Sequence, residues 1–473
     1  MEGSEKILPL PYEEYRKSMK AQNLILALLA VSCSSGVPHE AEIILSNIKA
    51  PAFRPVEYLA ADYGVKADGI TDNSTALDDL ITRCSDDGGG RIILPEGIVL
   101  SNGPVSLKSN VNLCIPEGCE LKFGSSPEYY LPGQMTVWEG TELFNYSSLI
   151  RADHCCNIAV TGGGVINGNA SDGFARFRPQ MSAQQDSLRQ MGIDLIPVRD
   201  RYFGARSILP PNMIEPFGCK NVLIEGVTII DSPYWCIHPL FCDNVTVRGV
   251  TIDSHNLNND GCDPEYTTNV LIENCVFHTG DDAIAIKAGR DQDAWRLGQK
   301  TAGIVIRNCE FSSRWNGLCI GSEMAAGVEN VVMYNVHVSS CASAIYFKSN
   351  LDRGGFIRKV RVDNIQCDSV STAFIRFENN YHGGRGGNHP TRFSDFHISN
   401  VTGGVSKECG FYAVGVEGVP ISNVTLENVR LDNCATPYTL MNTDGVRFRN
   451  VIINGIKQSE SPEDTEIVRL STD

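Results

Sequence analysis

The stretch NVLIEGVTI, residues 221–229, decides the fold of this chain, because altered copies of it follow one another along the sequence. The next two copies are NVTVRGVTI from Asn244 and NVLIENCVF from Asn269. Six further copies begin at Gly303, Asn330, Lys359, Asp395, Asn423 and Gly445. Each copy alternates apolar and polar residues, bends at a polar residue and then resumes a short strand.

The distance between copies indicates how the strands are stacked. Successive copies start between 22 and 36 residues apart, which suits a basic period in the low twenties with insertions of variable length. Such a period is typical of one turn of a parallel β-helix. A leucine-rich-repeat horseshoe is the alternative, but the leucine skeleton that it requires is missing. We therefore predict an all-β chain folded as a single-stranded parallel β-helix.

The bend of the repeat carries the same residue in seven consecutive copies. An asparagine can turn the backbone and can also hydrogen-bond to the same residue one coil away, which would form a ladder. We therefore assign these asparagines a structural role. They are Asn274, Asn308, Asn335, Asn364, Asn400, Asn428 and Asn450.

Two segments before the repeats interrupt the strand pattern. Residues 62–84 contain a predicted helix that Asp72 or Asn73 could cap, and its apolar residues fall on one face. A solenoid needs its open end covered, so we expect a short N-terminal capping helix there. Residues 170–215 form a long insertion, which we expect to wall one side of a cleft. The apolar helix face comprises Leu77, Leu80, Ile81 and Cys84, and the insertion contains Arg199, Arg201 and Arg206.

Composition excludes some partners. The formal net charge is −16, which argues against nucleic acid, because binding to phosphates needs a basic face. An acidic substrate would have to be held by a few local lysines and arginines. The chain has 17 cysteines, several of them inside strands, and we predict mostly free, buried thiols. We also expect a monomer.

The N-terminal region predicts export from a bacterial cell. Residues 19–36 combine a positive start with the apolar run LILALLAV, which is too short to span a bilayer but suits a signal segment. Residues 30–33, AVSC, approximate a lipoprotein box, so Cys33 is a candidate lipid anchor. We expect a leader over residues 1–36, a tether over 37–55 and the catalytic β-helix over 56–473. The protein would then be periplasmic or anchored in the outer membrane.

Two adjacent acids stand out in HTGDDAIAIKAG, residues 278–289. Asp281 and Asp282 are neighbours in an otherwise apolar run, where burying two ions would be costly. Asp260 precedes Asp281 by 21 residues, close to one coil, and stacked coils are about 4.8 Å apart. Gly280 permits a turn that aims both neighbours to one side. The sequence thus predicts three carboxylates on one small surface.

Clustered carboxylates can divide the work of glycoside hydrolysis. Acids this close raise one another's proton affinity, so one stays protonated while another stays ionised. Glycoside hydrolysis needs such a pair, a general acid and a general base or nucleophile. A polysaccharide also suits the long groove along a solenoid.

The motifs resemble those of glycoside hydrolase family 28, the polygalacturonase and rhamnogalacturonan hydrolase family. They are NNDG (258–261), TGDD (279–282) and IGSE (320–323), and the resemblance runs from about Tyr63 to Lys457. It implies a right-handed β-helix, a pectic substrate, no metal or other cofactor, and hydrolysis with inversion. It also implies that Asp281 is the general acid, while Asp260 and Asp282 hold and activate water. The short spacing of the acids taken alone would favour retention.

The sequence departs from the polygalacturonase pattern at two places. Arg314-Trp315-Asn316-Gly317 stands where polygalacturonases carry Gly-His-Gly, and Tyr346-Phe347-Lys348 replaces Arg-Ile-Lys. Because fewer cationic side chains than in polygalacturonases are present to bind a sugar carboxylate next to the scissile bond, we favour a neutral leaving sugar such as rhamnose. Plain polygalacturonan is the alternative substrate. Tyr346 or Trp315 could stack on a sugar face. The candidate substrate-binding residues are Lys348, Tyr346, Asn316, Lys287, Arg290 and Arg353.

Two other functions remain open from the sequence. A polysaccharide lyase shares the β-helix and would need a basic proton abstractor and usually calcium. A non-catalytic β-helix could bind glycans, with the two departures marking lost activity.

Overall fold

The chain forms a right-handed parallel β-helix, as the repeat and the family resemblance predict. A computed structural model describes residues 37–383 and 386–471. Nearly all strands pair in parallel with the strand one coil further along the chain. The predicted signal and lipid-anchor segment lies outside the described residues. No helix within the described ranges is long and apolar enough to cross a lipid bilayer.

The described residues contain thirty strands. In chain order they are β1 (Glu57–Leu59), β2 (Asp68–Asp72), β3 (Gly90–Ile93), β4 (Gly97–Ser101), β5 (Val105–Leu107), β6 (Val111–Cys114), β7 (Cys119–Phe123), β8 (Gln134–Trp138), β9 (Thr141–Asn145), β10 (Ile150–Asp153), β11 (Cys156–Thr161), β12 (Val165–Asn167), β13 (Ile214–Phe217), β14 (Lys220–Glu225), β15 (Thr228–Ile230), β16 (Asp243–Arg248), β17 (Thr251–Ser254), β18 (Thr268–Glu273), β19 (Val276–Thr279), β20 (Ile284–Ile286), β21 (Thr301–Ser313), β22 (Asn316–Ile320), β23 (Val328–Lys348), β24 (Phe356–Glu378), β25 (Arg392–Val414), β26 (Ile421–Leu431), β27 (Cys434–Met441), β28 (Thr443–Asp444), β29 (Arg447–Ile453) and β30 (Ile456–Lys457).

Helices are few and short in the described residues. The α-helices are α1 (His39–Leu45), α2 (Ser74–Asp86), α3 (Ser182–Ile193) and α4 (Asp291–Leu297). Short 3₁₀ segments occur at Ala60–Tyr63, Pro127–Tyr130, Phe174–Gln180, Val198–Asp200 and Gly204–Arg206.

Each coil contributes to three sheets. The repeat read from the sequence supplies the first two, through pairs such as β14 with β16 and β15 with β17. The third sheet carries β10, β13, β20 and β22. In the later coils one long strand, such as β23 or β24, bends through all three sheets. This third sheet positions the candidate site described below.

Stacked apolar side chains fill the interior. Val222, Val245 and Val270 are aligned on successive coils, and all three are buried. Because every coil repeats this inward pattern, the core is one continuous column that gains apolar burial with each coil. The described cysteines are all free thiols, and all except Cys156 are buried.

The predicted bend asparagines adopt the left-handed conformation. Asn335 has φ 55°, and its side chain donates to Asn308 and accepts from Asn364 at 2.8 Å. Asparagine tolerates this conformation better than other residues with a Cβ. The ladder joins Asn308, Asn335 and Asn364, and again Asn400, Asn428 and Asn450; between these two runs Asn400 donates to Asp363 instead. A second ladder, not foreseen from the sequence, joins Asn110, Asn157, Asn221 and Asn244.

The N-terminal cap is helix α2. Its predicted apolar face is buried in the core at the first coils, as Leu77, Leu80, Ile81 and Cys84 show. Asp72 accepts the backbone N–H of Ser74 at 3.0 Å. The stretch predicted as a tether is partly helical: Ala41 and Ile44 of α1 pack against Val305 on the outside of the first sheet. Apolar residues at i and i+3 give this short helix a face to bury.

The insertion at residues 170–215 folds over the third sheet. Arg201 is buried and pairs with Asp293 of α4 at 2.7 Å. It also donates to the backbone oxygen of Glu142 on β9. Arg199 and Arg206 of the same insertion are exposed. Arg201 therefore fastens the insertion to two other elements, α4 through an ion pair and β9 through a hydrogen bond.

Candidate active site

The third sheet brings the predicted acids together. Cys262 pairs with Ile284, so Asp260 is aligned with Asp282 on the next coil. Asp281, the residue that sequence spacing paired with Asp260, lies beside this column. The same alignment places Trp235 one coil before Asp260 and Asn316 one coil after Asp282. Trp235, Asp260 and Asp282 of this column form the floor of the site.

Gly280 makes the turn that presents both neighbouring acids. A Cβ at this position would lie 2.2 Å from the backbone oxygen of Asn256, so no other residue fits without displacing the coil. After the turn, the hydroxyl of Thr279 donates to the backbone oxygen of Asp281 at 2.9 Å. The backbone N–H of Asp282 donates to the carboxylate of Asp281. These local bonds hold both acids at the start of β20.

The three carboxylates form one tight group. One oxygen of each of Asp260, Asp281 and Asp282 lies within 4.8 Å of the others. Burial, together with the charge of Asp282, raises the pKa of Asp281 to about 7. Burial and the charges of the neighbouring acids raise the pKa of Asp260 well above its usual range. The group is therefore partly protonated near neutral pH.

Asp282 has the partners that a carboxylate anion needs. The side-chain amide of Asn316 donates to it at 2.5 Å, and the ammonium of Lys348 lies 3.4 Å away. Its side chain is also almost fully buried. A hydrogen bond and a cation both favour the charged form of a carboxyl group. The geometry thus separates Asp282, with two stabilising donors, from Asp281 on the adjacent position.

A fourth acid lies behind this group. Asp263 is fully buried, and burial raises its pKa well above the usual range against the opposing charges of Lys287 and His238. His238 is aligned with it on the preceding coil and is held between Glu215 and Glu265. Asp263 follows the NNDG motif by only two residues, yet no spacing rule distinguishes it from a structural acid. Sequence reasoning missed it.

A cavity of about 460 Å³ opens above the acids. It receives side chains from the third sheet, from the hairpin of β8 and β9, from α3 and from the loops after β20, β22, β23 and β24. The lining residues are Glu139, Arg189, Trp235, Asn258, Asp260, Asp281, Asp282, Lys287, Arg290, Asp291, Ser322, Glu323, Lys348, Asn350, Asp352, Arg353, Tyr381, His382 and Gly383.

Three predicted substrate-binding cations gather around Glu323. Lys287 donates to it at 3.2 Å, Arg290 is also paired with it, and Arg353 lies 4.0 Å away. Burial opposes ionisation of Glu323, but the three cations hold its pKa well below the usual range. Arg353 also donates to Asp291. Arg290 also lies 4.0 Å from Glu139, so the cations of this wall are shared with several carboxylates of the cavity.

Two predicted substrate-binding residues do not line the cavity. Tyr346 is 0% exposed, because its hydroxyl donates to Glu378 and the guanidinium of Arg376 covers its ring at 4.4 Å. Asn316 is buried too and reaches the site only through its bond to Asp282. Trp315, considered as a sugar-stacking residue, is half-buried and also lies outside the lining.

The lining includes residues that the sequence did not indicate. Glu139 and Arg189 come from segments far from the acid motifs, and only the folded insertion brings them to the cavity. Tyr381 and His382 belong to the loop after β24, and their ring centroids lie 4.0 Å apart with the ring planes tilted by 53°. Trp235 occupies the floor, with the ammonium of Lys287 5.0 Å from its ring centre. Their separation along the chain left no motif by which to find them.

Comparison with known families gives one match. Residues 205–448, more than half of the chain, match the family described as Glycosyl hydrolases family 28. This segment contains all three acids and both predicted motifs around them.

Individual proteins of known identity are similar over most of the chain. The solved structure of a hyperthermoactive exopolygalacturonase from Thermotoga maritima shares 34% identity, with a TM-score of 0.85, over 89% of this chain and 96% of that one. An endo-polygalacturonase from Pectobacterium carotovorum subsp. carotovorum is 25% identical, covering 89% of this chain and 97% of its own. An exo-poly-alpha-D-galacturonosidase from Dickeya chrysanthemi is 25% identical, covering 85% of this chain and 71% of its own.

Proposed function

The chain belongs to glycosyl hydrolases family 28, and we propose that it hydrolyses the glycosidic bonds of galacturonic-acid-containing pectin chains. The family membership makes it a glycosidase, as the sequence motifs predicted. The observation that carries the proposal is the group formed by Asp260, Asp281 and Asp282 in a cavity walled by cations. Acids that only stabilise the fold would not need to line a cavity that a ligand can enter.

Asp281 is the proposed general acid. Its pKa of about 7 keeps it mostly protonated in mildly acidic solution and about half protonated at neutral pH, so it can give a proton to the leaving glycosidic oxygen. The bond between that oxygen and the anomeric carbon then breaks, and the leaving sugar departs as a neutral alcohol.

Asp282 is the proposed base. Asn316 and Lys348 stabilise its carboxylate, so it can take a proton from the attacking water while the water oxygen bonds to the anomeric carbon. Asp260, aligned with it, would orient the same water. A water that attacks opposite the leaving oxygen inverts the anomeric centre, and we propose inversion. Proton magnetic resonance of the first-formed anomer distinguishes inversion from retention.

Galacturonate is the proposed sugar in the site. Lys287, Arg290 and Arg353 gather at Glu323 and offer cations to a sugar carboxylate, and relatives named as polygalacturonases point to the same sugar. On the leaving side, Lys348 is engaged with Asp282, and Tyr346 is covered by Arg376. Few cationic side chains are therefore available to bind a carboxylate of the leaving sugar. This observation makes rhamnogalacturonan the second candidate substrate.

We propose attack from one end of the chain. The insertion and the hairpin of β8 and β9 supply Arg189 and Glu139 on the side of the earlier coils, whereas Lys348 lies on a later coil. The family resemblance puts the leaving sugar beside Lys348. The sugar on the other side of the scissile bond, the glycone, then faces the side formed by the hairpin and the insertion, which we call the walled side. The walled side would then receive the non-reducing terminal sugar. The Thermotoga structure of similar fold is named an exopolygalacturonase.

Product analysis tests this function. The enzyme is incubated with polygalacturonan and with rhamnogalacturonan backbone, and products are resolved by size over time. We expect small saturated products from the earliest times and a slow fall in viscosity with polygalacturonan. Ultraviolet-absorbing products that disappear with a chelator would identify a lyase instead. Binding of both polymers without any turnover would identify a non-catalytic glycan-binding protein.

We also propose that the protein is exported, anchored by lipid at Cys33 and monomeric. Bacterial relatives that act on pectin support export, since the polymer lies outside the cell. Fatty-acid labelling of the wild type and of Cys33→Ser, followed by membrane fractionation, tests the anchor. Light scattering of the soluble protein tests the monomer.

A further inference from the structure

Glu139 occupies an unusual position at the tip of the β8–β9 hairpin. It has φ 43°, a left-handed conformation that few residues other than glycine adopt, and Gly140 follows with φ 82°. A Cβ at Gly140 would lie 2.8 Å from the backbone nitrogen of Arg290. The hairpin tip is thus pressed against the cavity wall, with the Glu139 side chain at the cavity surface.

Three separate elements hold the Glu139 carboxylate. The hydroxyl of Tyr234 donates to Oε1 at 2.6 Å, while Arg189 and Gln185 of α3 donate to Oε2 at 2.7 and 2.6 Å. The guanidinium of Arg290 lies 4.0 Å away. Burial opposes ionisation, but these cations and the tyrosine lower the pKa of Glu139. A carboxylate that is ionised at neutral pH is therefore fixed at the side of the cavity formed by the hairpin and the insertion.

This carboxylate can still accept another hydrogen bond. Oε1 has a single donor, Tyr234, and each carboxylate oxygen offers two lone-pair directions. The Glu139 side chain keeps 12% of its surface exposed and lines the same cavity as Asp260. Tyr234, which donates to Glu139, directly precedes Trp235, and Trp235 is aligned with Asp260 on the neighbouring coil. A sugar seated over the acids is thus within reach of Glu139.

We propose that Glu139, positioned by Arg189, is the residue that recognises the free hydroxyl of the terminal sugar. The inference rests on the proposed end-on attack. Within a galacturonan chain, the 4-oxygen of each interior sugar is glycosidic and cannot donate a hydrogen bond. Only the non-reducing terminal sugar has a 4-hydroxyl that donates. An ionised acceptor at the walled side therefore favours a chain end over the interior of a chain.

Desolvation makes this recognition selective. A hydrogen bond to a charged group in a partly buried site contributes more than one in water, and an unfilled acceptor beside an ether oxygen is penalised. We therefore expect the wild type to prefer a chain with a free terminal 4-hydroxyl by about 10- to 100-fold in kcat/KM.

The experiment compares two substrates and three proteins. The substrates are trigalacturonate and its analogue with a 4-deoxy terminal sugar. The proteins are the wild type, Glu139→Gln and the matched control Glu142→Gln. Glu142 lies on the same hairpin and is also an ion-paired glutamate, but it pairs with Arg296 outside the cavity. Initial rates give kcat/KM for each pair, and thermal melts report folding.

The deciding quantity is the preference ratio, kcat/KM for trigalacturonate divided by kcat/KM for the 4-deoxy analogue. We expect Glu139→Gln to lower the rate with trigalacturonate and to bring the ratio of the two substrates to within about threefold, whereas Glu142→Gln keeps the wild-type ratio. Equal rates of the wild type with both substrates would overturn the inference, even if Glu139→Gln failed to fold. An unchanged ratio in folded Glu139→Gln would overturn it as well. The proposed function fails separately, if the wild type releases no sugar from trigalacturonate or polygalacturonan.

Discussion

At the scale of single residues, the chemistry depends on how differently the fold treats two adjacent acids. Asp282 is surrounded by an amide and an ammonium, whereas Asp281 is held by its own backbone turn. Sequence spacing predicted that three acids converge, because the coil length is readable from the repeat. It did not predict the contacts that distinguish the two neighbours, because Asn316 and Lys348 reach Asp282 from two later coils.

Replacing Asp281 by Asn should abolish activity without unfolding the protein. Loss of the general acid lowers kcat by at least about 100-fold. The pKa of Asp281 is raised in the folded state, so its ionisation opposes folding above the ordinary pKa and increasingly towards pH 7. Asn removes that cost, so the melting temperature at pH 7 should be equal or higher. Reducing-sugar assays and thermal melts measure both.

The matched control is Asp86→Asn. Asp86 is also one of two adjacent acids, but it lies exposed at the end of α2. This variant should retain wild-type activity. Retained activity in Asp281→Asn would remove Asp281 from the role of general acid.

The pH dependence of the rate should report the same group. Because Asp281 must carry its proton, kcat/KM should fall tenfold per pH unit above about pH 7. Lys348 lowers the pKa of Asp281, so Lys348→Met should raise that pKa and move the alkaline limb to higher pH. A pH-rate profile of both proteins measures the shift. A limb that stays in place would show that another group controls it.

At the scale of elements, the sequence was informative wherever the repeat itself specifies geometry. The alternation of apolar residues set the first two sheets, and the bend asparagines adopt the conformation expected of them. The third sheet was harder to foresee, because its strands are short and its loops vary in length. Glu139 could not be found at all, since its role depends on a hairpin and an insertion that meet only after folding.

Two substitutions of one ladder asparagine should separate backbone strain from hydrogen bonding. Asn335→Ala loses both ladder bonds. It also leaves a residue with a Cβ at φ 55°, where alanine is strained and has no polar side chain to bond to the backbone or to its neighbours. Asn335→Gly loses the same bonds but relieves the backbone. We expect Ala to destabilise the protein by about 1 kcal/mol more than Gly. Urea unfolding followed by circular dichroism gives the difference. Equal effects would mean that the left-handed conformation contributes nothing to stability.

At the scale of the whole molecule, the site and the surface have opposite electrostatic effects on an anionic substrate: the cavity attracts its carboxylates and the surface repels the chain. The chain carries a net charge of −16, while its proposed substrate is itself a polyanion. The cations around Glu323 act at contact distance inside the cavity, where solvent screens them little. The surface charges act over longer distances and repel an approaching galacturonan chain. Binding and approach should therefore respond differently to salt.

Moderate salt should raise the rate with long chains. Increasing ionic strength from about 10 to 150 mM shortens the screening length from roughly 30 to 8 Å, which weakens the long-range repulsion but leaves the buried pairs nearly intact. We expect kcat/KM to rise several-fold for polygalacturonan and to change little for digalacturonate, which has few charges outside the cavity. Initial rates at constant pH measure both. A rate with polygalacturonan that falls steadily with salt would show that surface attraction, provided by a local basic patch, outweighs the net negative charge.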